Sequence, residues 1–344
     1  ISASSMFTFT GLSFGLGRRI LTVAQGRLDG EDARQMITWD LLLTTLNYFA
    51  GHWKEIDGYD DDLIRRNLAI GEFWAVSLHY YWHGFSMVYQ GDLASAEWLV
   101  NRLNDIAEVY ENDFSLLFKH LLNVVLLMES RRLPEALGEI TAGIEIGKKC
   151  KSGMSLVHFY GCQAKIYLLM DNDAAAAKAL DTADTIRNEE EAVPWMVSVF
   201  CRSQAELGLY RLKGAIANGR KWDVPKLRRR AHKSCRALLR QTRKVAQHRT
   251  EAYRLMGVYY WLNGKTPSAL KWWRKSIRTG ERLGARIQLS RSYFEVGQRL
   301  QEPGSPYNML DGITAQAYLE KAEALFREMN LEWDLERLHC LPKS

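Results

Sequence analysis

The stretch that decides the fold is residues 251–283, EAYRLMGVYYWLNGKTPSALKWWRKSIRTGERL. It reads as two amphipathic helices joined by a tight turn, NGKT at 263–266. Gly257 in the first helix and Ala269 in the second are small, so the two backbones can approach closely where the helices cross. Larger side chains fill the remaining volume: Tyr253, Tyr260 and Trp273.

The same pattern recurs along the chain at a fixed interval. The small residues Ala96, Ala136 and Ala176 are spaced by 40 residues, and the apolar residues around them keep the same offsets. These offsets resemble those of the tetratricopeptide repeat, a helix–turn–helix unit of about 34 residues. The longer period indicates longer helices or loops. The sequence therefore predicts an all-α fold, an α-solenoid of about seven tetratricopeptide-like hairpins that form a right-handed superhelix.

The predicted array divides into three segments. Residues 1–70 form N-terminal helical pairs, beginning with one helix over 6–25 and a second over 31–53. Residues 71–188 carry the regular repeats of period 40. Residues 189–344 carry further repeats with insertions and end in a C-terminal capping helix, because a terminal repeat needs a solvent-facing end.

Composition indicates a cytoplasmic protein with a large core. Hydrophobic residues make up 47% of the 344, and the net charge is 46 − 40 = +6. The five cysteines form no CxxC pair, which favours reduced thiols in the cytoplasm over a disulfide framework. The longest apolar run, residues 121–128, is too short to span a bilayer, so we expect no membrane segment. Because the chain starts at Ile1, we expect it to be part of a longer protein.

Two C-terminal stretches, 271–300 and 318–337, are similar to the C-terminal repeats of bacterial multidomain signalling proteins. In that family a nucleotidyl cyclase or a protein kinase precedes an AAA-type ATPase and then such a solenoid. The resemblance implies the sensor or scaffold part of a larger signalling protein, and it carries over no cyclase or ATPase activity, because those catalytic parts are absent from this sequence. The matching residues are Ala269, Ile277, Glu281, Leu283, Gly284, Ala285, Glu295, Ala322, Phe326, Met329, Leu331 and Trp333.

The sequence contains little that indicates catalysis. Residues 264–266, GKT, resemble the end of a phosphate-binding loop, but Tyr259 stands where that loop needs glycine and a helix precedes it instead of a strand. His79 and His83 are four apart and could face one side of a helix and bind zinc. The alternative, which we favour, is that His83 lies in the seam between helices. We therefore predict no enzyme, no catalytic residue, no cofactor and no metal.

The first helix of each hairpin lines the inner, concave face of a tetratricopeptide array. In this chain the exposed inner offsets are mainly aromatic and aliphatic. Such a lining suits an apolar peptide or helix of a protein partner, with the aromatic residues as anchors. The alternative is that these side chains pack against neighbouring repeats or fill a tightly wound channel. The predicted partner-binding residues are Tyr81, Phe85, Tyr89, Phe118, Arg254 and Trp261.

A second predicted surface is basic. Ten Lys or Arg and no Asp or Glu occur between Lys226 and Arg249. Five of them form one stripe on a helix, spaced four, three, four and three residues apart. The stripe could bind an acidic partner, such as another domain of the same parent protein. It could also pair with the acidic run at 189–191 or be an ordinary solvated face. The alternative function is a nucleic-acid-associated repeat module using the helix at 226–249. The stripe residues are Arg229, Lys233, Arg236, Arg240 and Arg243.

Overall fold

The structure, a computed structural model, describes residues 2–56, 60–189 and 193–341; the side chains of Ser2 and Ala3 are not part of the description. These residues form seventeen α-helices, a single 3₁₀ turn at Trp53–Glu55 and one short β-hairpin, β1 (Met309–Leu310) with β2 (Ile313–Thr314). The helices are α1 (Ser2–Thr10), α2 (Phe14–Gln25), α3 (Ala33–Ala50), α4 (Asp61–Ala69), α5 (Phe73–Gln90), α6 (Leu93–Val109), α7 (Asp113–Glu129), α8 (Leu133–Lys149), α9 (Gly153–Leu169), α10 (Asp173–Glu189), α11 (Pro194–Ala217), α12 (Val224–Gln241), α13 (Arg249–Leu262), α14 (Thr266–Leu283), α15 (Arg286–Gln301), α16 (Ala315–Glu328) and α17 (Glu332–His339).

Consecutive helices pack as antiparallel pairs, and each pair packs on the next. Helices α3 to α16 make seven such hairpins, α1 and α2 precede them, and α17 packs on α16 at the C-terminal end. The predicted all-α solenoid is confirmed. Its right-handed twist and its division at 70/71 and 188/189 stay predictions. None of the described helices combines the length and the hydropathy needed to cross a bilayer.

The turns between helices repeat every 20 residues, half the period of the alanines. From residue 51 to residue 171 each turn contains one residue in the left-handed region, and the amide after it donates to the carbonyl five residues back. Asp92 N, for example, donates to Met87 O at 2.9 Å. This is the Schellman cap, which satisfies the last carbonyls of a helix. The left-handed residues are Gly51, Gly71, Gly91, Glu111, Arg131, Lys151 and Asp171.

Small residues lie at helix contacts, as the pattern predicts. Ala96, Ala136 and Ala176 are fully buried. A Cβ atom added to Gly257 would lie 2.2 Å from Nε1 of Trp273, so α13 and α14 touch through this glycine. Gly84 makes a different contact: its Cβ would lie 2.3 Å from Cδ2 of Leu122, which belongs to the first helix of the next hairpin.

The N-terminal segment differs from the prediction of one helix over 6–25. The structure shows two helices, α1 and α2, separated at Gly11 and restarted by Ser13, whose side chain accepts a hydrogen bond from Leu16 N. Gly11 has φ +63°, and an added Cβ would lie 2.7 Å from Cβ of Lys244. The chain therefore bends where it meets the loop after α12, a contact that no local pattern indicates.

The first hairpin touches the segment that joins the fifth hairpin to the sixth. Tyr48 on α3 donates a hydrogen bond to Oε1 of Gln247 at 2.8 Å, and Ala246 N donates to the Phe49 carbonyl at 2.9 Å. Helix α15 packs on α5. The superhelix thus closes on itself, and the first helices of the hairpins face one another across its axis.

Candidate functional site: the inner face and a basic cleft

The inner face begins with a cluster of aromatic side chains around the axis. Tyr81, Phe85, Tyr89 and Phe118, four of the predicted partner-binding residues, are each less than 9% exposed. The ring of Tyr81 lies 4.6 Å from Phe85 and 5.2 Å from Phe118, measured between centroids. In this conformation these side chains contact one another and their neighbours. This agrees with the alternative in which they pack against neighbouring repeats instead of lining an open groove.

The other two predicted inner residues, Arg254 and Trp261, are half-buried on α13. Arg254 donates to Oε1 of Glu251 at 3.1 Å. Trp261 donates from Nε1 to Oε2 of Glu302 at 2.9 Å, and its ring lies 5.5 Å from that of Trp273. Within the described residues no ring contact or hydrogen bond joins this pair to the four aromatic side chains.

Beyond the aromatic cluster the inner face carries buried charges that pair across the axis. Arg291 contacts carboxylate oxygens of both Glu129 and Asp334. Lys165 lies 2.8 Å from Glu251 and 3.4 Å from Glu206. Successive odd-numbered helices contribute one member each, which we call the inner ion network: Glu129 on α7, Lys165 on α9, Arg202 on α11, Glu251 on α13, Arg291 on α15 and Asp334 on α17.

Neighbouring charges favour the ionised forms of Glu251 and Arg291 despite their burial. Burial raises the pKa of the Glu251 carboxyl, but Lys165, Arg202 and Arg254 outweigh it and hold that pKa well below its ordinary value. Burial likewise lowers the pKa of Arg291, and the carboxylates of Asp334 and Glu129 raise it above its usual range. Buried charges persist only when they are paired in this way. The network therefore links helices distant in sequence.

Several buried polar atoms of the inner face have no hydrogen-bond partner within the described residues. They include Oη of Tyr81, Nε1 of Trp82, both ring nitrogens of His158, Nε of Arg202 and Oε2 of Glu251. Each such atom costs about 1–3 kcal/mol relative to a paired one. Around the axis the protein thus holds unused hydrogen-bonding capacity that a polar ligand could satisfy.

Because α12 ends at Gln241 and does not continue over the predicted 226–249, Arg243 lies in the turn after the helix, and the other four residues of the basic stripe lie on α12. The five cations of the stripe are exposed, and Ala231, Cys235 and Leu238 on the opposite side are buried. Within the described residues none of the five forms a salt bridge, including with Glu189. The other two residues of the acidic run, 190 and 191, lie outside the described residues.

Three of the stripe cations border a cleft between α12, α13 and α14. The cleft consists of two adjoining pockets of about 390 and 400 Å³ that share Leu239, Arg243 and Trp272. Arg229 and Lys233 are not among its lining residues. We call it the basic cleft, and its walls and floor are Arg236, Arg240, Arg243, Arg249, Lys275, Arg282, Leu239, Met256, Tyr260 and Trp272.

The electrostatics of the basic cleft reflect its uncompensated charge. Burial, followed by Arg236 and Lys265, lowers the pKa of His232 at its edge. Burial also lowers the pKa of Arg249, and nearby Arg282 adds to that effect. Nζ of Lys275 lies 4.7 Å from the ring centre of Trp272, a cation–π contact that holds the aromatic floor in place.

Comparison with known proteins supports the fold and gives no family. No family model matches the chain, and no curated protein matches it. Among solved structures, a Rap protein complexed with Competence and Sporulation Factor is similar, with a TM-score of 0.51 and 10% identity over 98% of this chain and 97% of that one. The chain thus shares an all-helical fold with this structure along nearly its whole length. The resemblance to multidomain signalling ATPases stays a prediction.

Proposed function

We propose that this protein is a non-enzymatic interaction scaffold that binds an acidic peptide or an acidic face of a protein partner in the basic cleft. One observation carries the proposal: six cations surround an apolar and aromatic floor without an acidic partner among the described residues. A free protein tolerates such a surface because water solvates it. A partner that presents carboxylates around an apolar anchor would match both the charge and the floor.

Binding of a labelled acidic peptide tests the proposal. The probe is a fluorescein-labelled peptide that alternates glutamate with phenylalanine, and its anisotropy is measured against protein concentration. We expect the double variant Arg236→Glu/Arg240→Glu to bind at least about tenfold more weakly, about 1.4 kcal/mol. Its matched control is Arg229→Glu/Lys233→Glu, which makes the same charge change on the same helix outside the cleft.

Equal losses in the two double variants would show that only net charge matters and would reject a defined cleft. Duplex DNA and single-stranded RNA of the same total charge are tested beside the peptide. Tighter binding to either one, with the steep salt dependence that phosphate contacts produce, would favour the alternative function of a nucleic-acid-associated module.

The inner face supports a second mode of binding within the same function. A peptide lying along the axis would contact the unpaired polar atoms of Tyr81 and His158 and displace some of the aromatic contacts of Phe85, Tyr89 and Phe118. Arg254 and Trp261, being half-buried, would be reached first. This mode needs the closed array to open, whereas the basic cleft is accessible as it stands.

Peptides selected from a random display library test the inner mode. Those that bind the wild type through the inner face should bind Trp261→Ala about tenfold more weakly, since an aromatic anchor contributes at least about 1–2 kcal/mol. Trp222→Ala is the control, because Trp222 is 98% exposed between α11 and α12. Binding that is lost in Trp222→Ala and kept in Trp261→Ala would reject this mode.

The cellular context is part of the proposal. All five cysteines are free thiols, and burial raises the pKa of Cys162 and Cys201 to about 11, which keeps them unreactive. We infer a cytoplasmic protein, and one that belongs to a larger signalling protein whose acidic domain occupies the basic cleft. Sequencing the gene upstream of Ile1 tests this last point: an ATPase, cyclase or kinase there is expected.

A further inference from the structure

A second group of polar side chains lies between α3 and α5, apart from both surfaces described above. Asp40 and Thr44 are four residues apart on α3, and His79 and His83 are four apart on α5, so each pair shares one face of its helix. Nε2 of His79 lies 2.5 Å from Oδ2 of Asp40, and Nε2 of His83 lies 3.4 Å from Oγ1 of Thr44. The two imidazole rings are 4.4 Å apart, measured between centroids.

The group combines buried nitrogen ligands with a carboxylate that reaches solvent. His79 and His83 are at most 3% exposed, whereas the side chain of Asp40 is 34% exposed. One ring nitrogen of His79, Nδ1, is buried without a hydrogen-bond partner.

The sequence alone favours His83 in the seam between helices and no metal; on this geometry we propose instead that Asp40, His79 and His83 bind a divalent transition-metal ion of the zinc type. One ligand atom from each residue lies within 4.8 Å of the other two. Zinc bonds to histidine nitrogen and carboxylate oxygen are about 2.0–2.2 Å long. Adjacent ligand atoms must therefore lie about 3.5 Å apart, so the widest pair closes by at most about 1.3 Å. The pair of His79 and Asp40, now 2.5 Å apart, opens by about 1 Å. Side-chain rotation of the partly exposed Asp40 supplies that movement.

Metal binding at this site requires only that one proton of His79 move from one ring nitrogen to the other. In the hydrogen bond to Asp40, Nε2 of His79 carries the proton. On metal binding this proton moves to Nδ1, which has no partner to lose, and Nε2 then donates its lone pair to the ion. The carboxylate supplies the single negative charge. Two histidines and one carboxylate leave one position of a tetrahedral ion open, on the side where Asp40 meets solvent.

The chain contains a close analogue that lacks the second imidazole. His120 Nδ1 lies 2.7 Å from Oε1 of Glu139, and the third group at that carboxylate is Lys119, at 2.8 Å. This arrangement is a salt-linked histidine–carboxylate pair with no second metal ligand. It serves as an internal comparison, because a simple hydrogen bond between histidine and carboxylate would behave as that of His120 and Glu139 does.

Titration of the full chain, free of any histidine tag, with cobalt(II) tests the proposal. Tetrahedral cobalt absorbs visible light, and zinc should displace it from the same site. We expect the wild type to bind one equivalent and His83→Gln and Asp40→Asn each to weaken binding by at least about tenfold, since each removes a ligand. His120→Gln should bind as the wild type does.

A second readout covers the case in which a histidine variant does not fold. Zinc added to the wild type should raise the thermal midpoint, because an ion that binds only the folded state stabilises it. The Asp40→Asn side chain is partly exposed and keeps a hydrogen-bond acceptor. In this variant the rise in thermal midpoint should be a small fraction of the wild-type rise. A rise of equal size in Asp40→Asn, or a wild type that binds no cobalt, would overturn the proposal.

Discussion

The inner face and the basic cleft contain the same kinds of side chain but differ in burial and in charge pairing. Both set arginine and lysine beside tryptophan and tyrosine on packed helices. On the inner face each cation meets a carboxylate from a distant helix, and the group is buried. In the basic cleft no described carboxylate reaches the cations, and all of them except the partly buried Arg249 stay in solvent. Charge pairing across the array, rather than residue type, therefore distinguishes a structural core from a surface that is open to partners.

The largest expected effect comes from removing one acid of the inner ion network. Glu129→Gln leaves Arg291 and Arg202 without their shared carboxylate in a buried site. Breaking such a pair costs about 3–5 kcal/mol, and urea unfolding followed by circular dichroism measures it. Glu135→Gln, in an exposed pair with Arg132, is the control and should change the midpoint little. Equal, small changes in both variants would mean that the network does not hold the array closed.

The next effect is on the pH dependence of stability. The unfolded chain protonates His158 near its ordinary value, about 6.5, whereas burial, together with the nearby Arg202, lowers the folded pKa to about 3. The unfolded state therefore binds more protons between these values, and stability falls as the pH falls through that window. In His158→Phe the loss between about pH 7 and about pH 5 should be smaller. At pH 7 the substitution should be nearly neutral, because neither ring nitrogen is hydrogen-bonded.

His232→Phe provides the matched comparison from the basic cleft. His232 stacks on Tyr259 with 5.0 Å between ring centres, and it is only partly buried. Its pKa is lowered by partial burial and by Arg236, so this residue contributes far less to acid sensitivity. The two variants are compared by urea midpoints across the same pH range. A flatter profile in His232→Phe than in His158→Phe would reverse the distinction between the two regions.

The smallest effect is a response to salt. Screening weakens repulsion among exposed cations, so raising NaCl from about 0.05 to about 0.5 M should stabilise the wild type slightly, by at most about 0.5 kcal/mol. The double variant Arg236→Gln/Arg240→Gln should lose most of this gain, and Arg229→Gln/Lys233→Gln should keep more of it. Differential scanning calorimetry at both salt concentrations resolves the difference. Wild-type protein that becomes less stable in salt would contradict an uncompensated basic cleft.

Local features of the fold could be predicted because their causes lie within one hairpin. Gly257 and Trp273 are 16 residues apart, and the helix period alone places them at one crossing. The exposure of Arg236 and Arg240 and the burial of Cys235 follow from the same period. The packing of α12 therefore agrees with the prediction, although its function stays a proposal.

Closure of the array could not be predicted in this way. Tyr48 meets Gln247, and Glu129 meets Arg291, across separations of 199 and 162 residues. No periodic pattern contains such contacts. The sequence therefore could not decide whether Tyr81 and Phe85 line an open groove or fill a closed channel. One signal was present and went unused: single charged residues inside apolar first helices, such as Glu129 at the end of LLNVVLLME. A lone charge in such a helix needs a partner, and that partner lies across the axis.

The contact between Phe49 and Ala246 has a consequence for how this protein can evolve. An open solenoid can gain or lose a unit of 40 residues and simply become longer or shorter. Here α3 meets the segment between α12 and α13 at fixed hydrogen bonds, so a unit added or lost between them would change the distance that Tyr48 and Gln247 bridge. The number of hairpins between Phe49 and Ala246 is therefore constrained by this contact, and substitution of single residues changes that part of the array with less disturbance than duplication of a repeat.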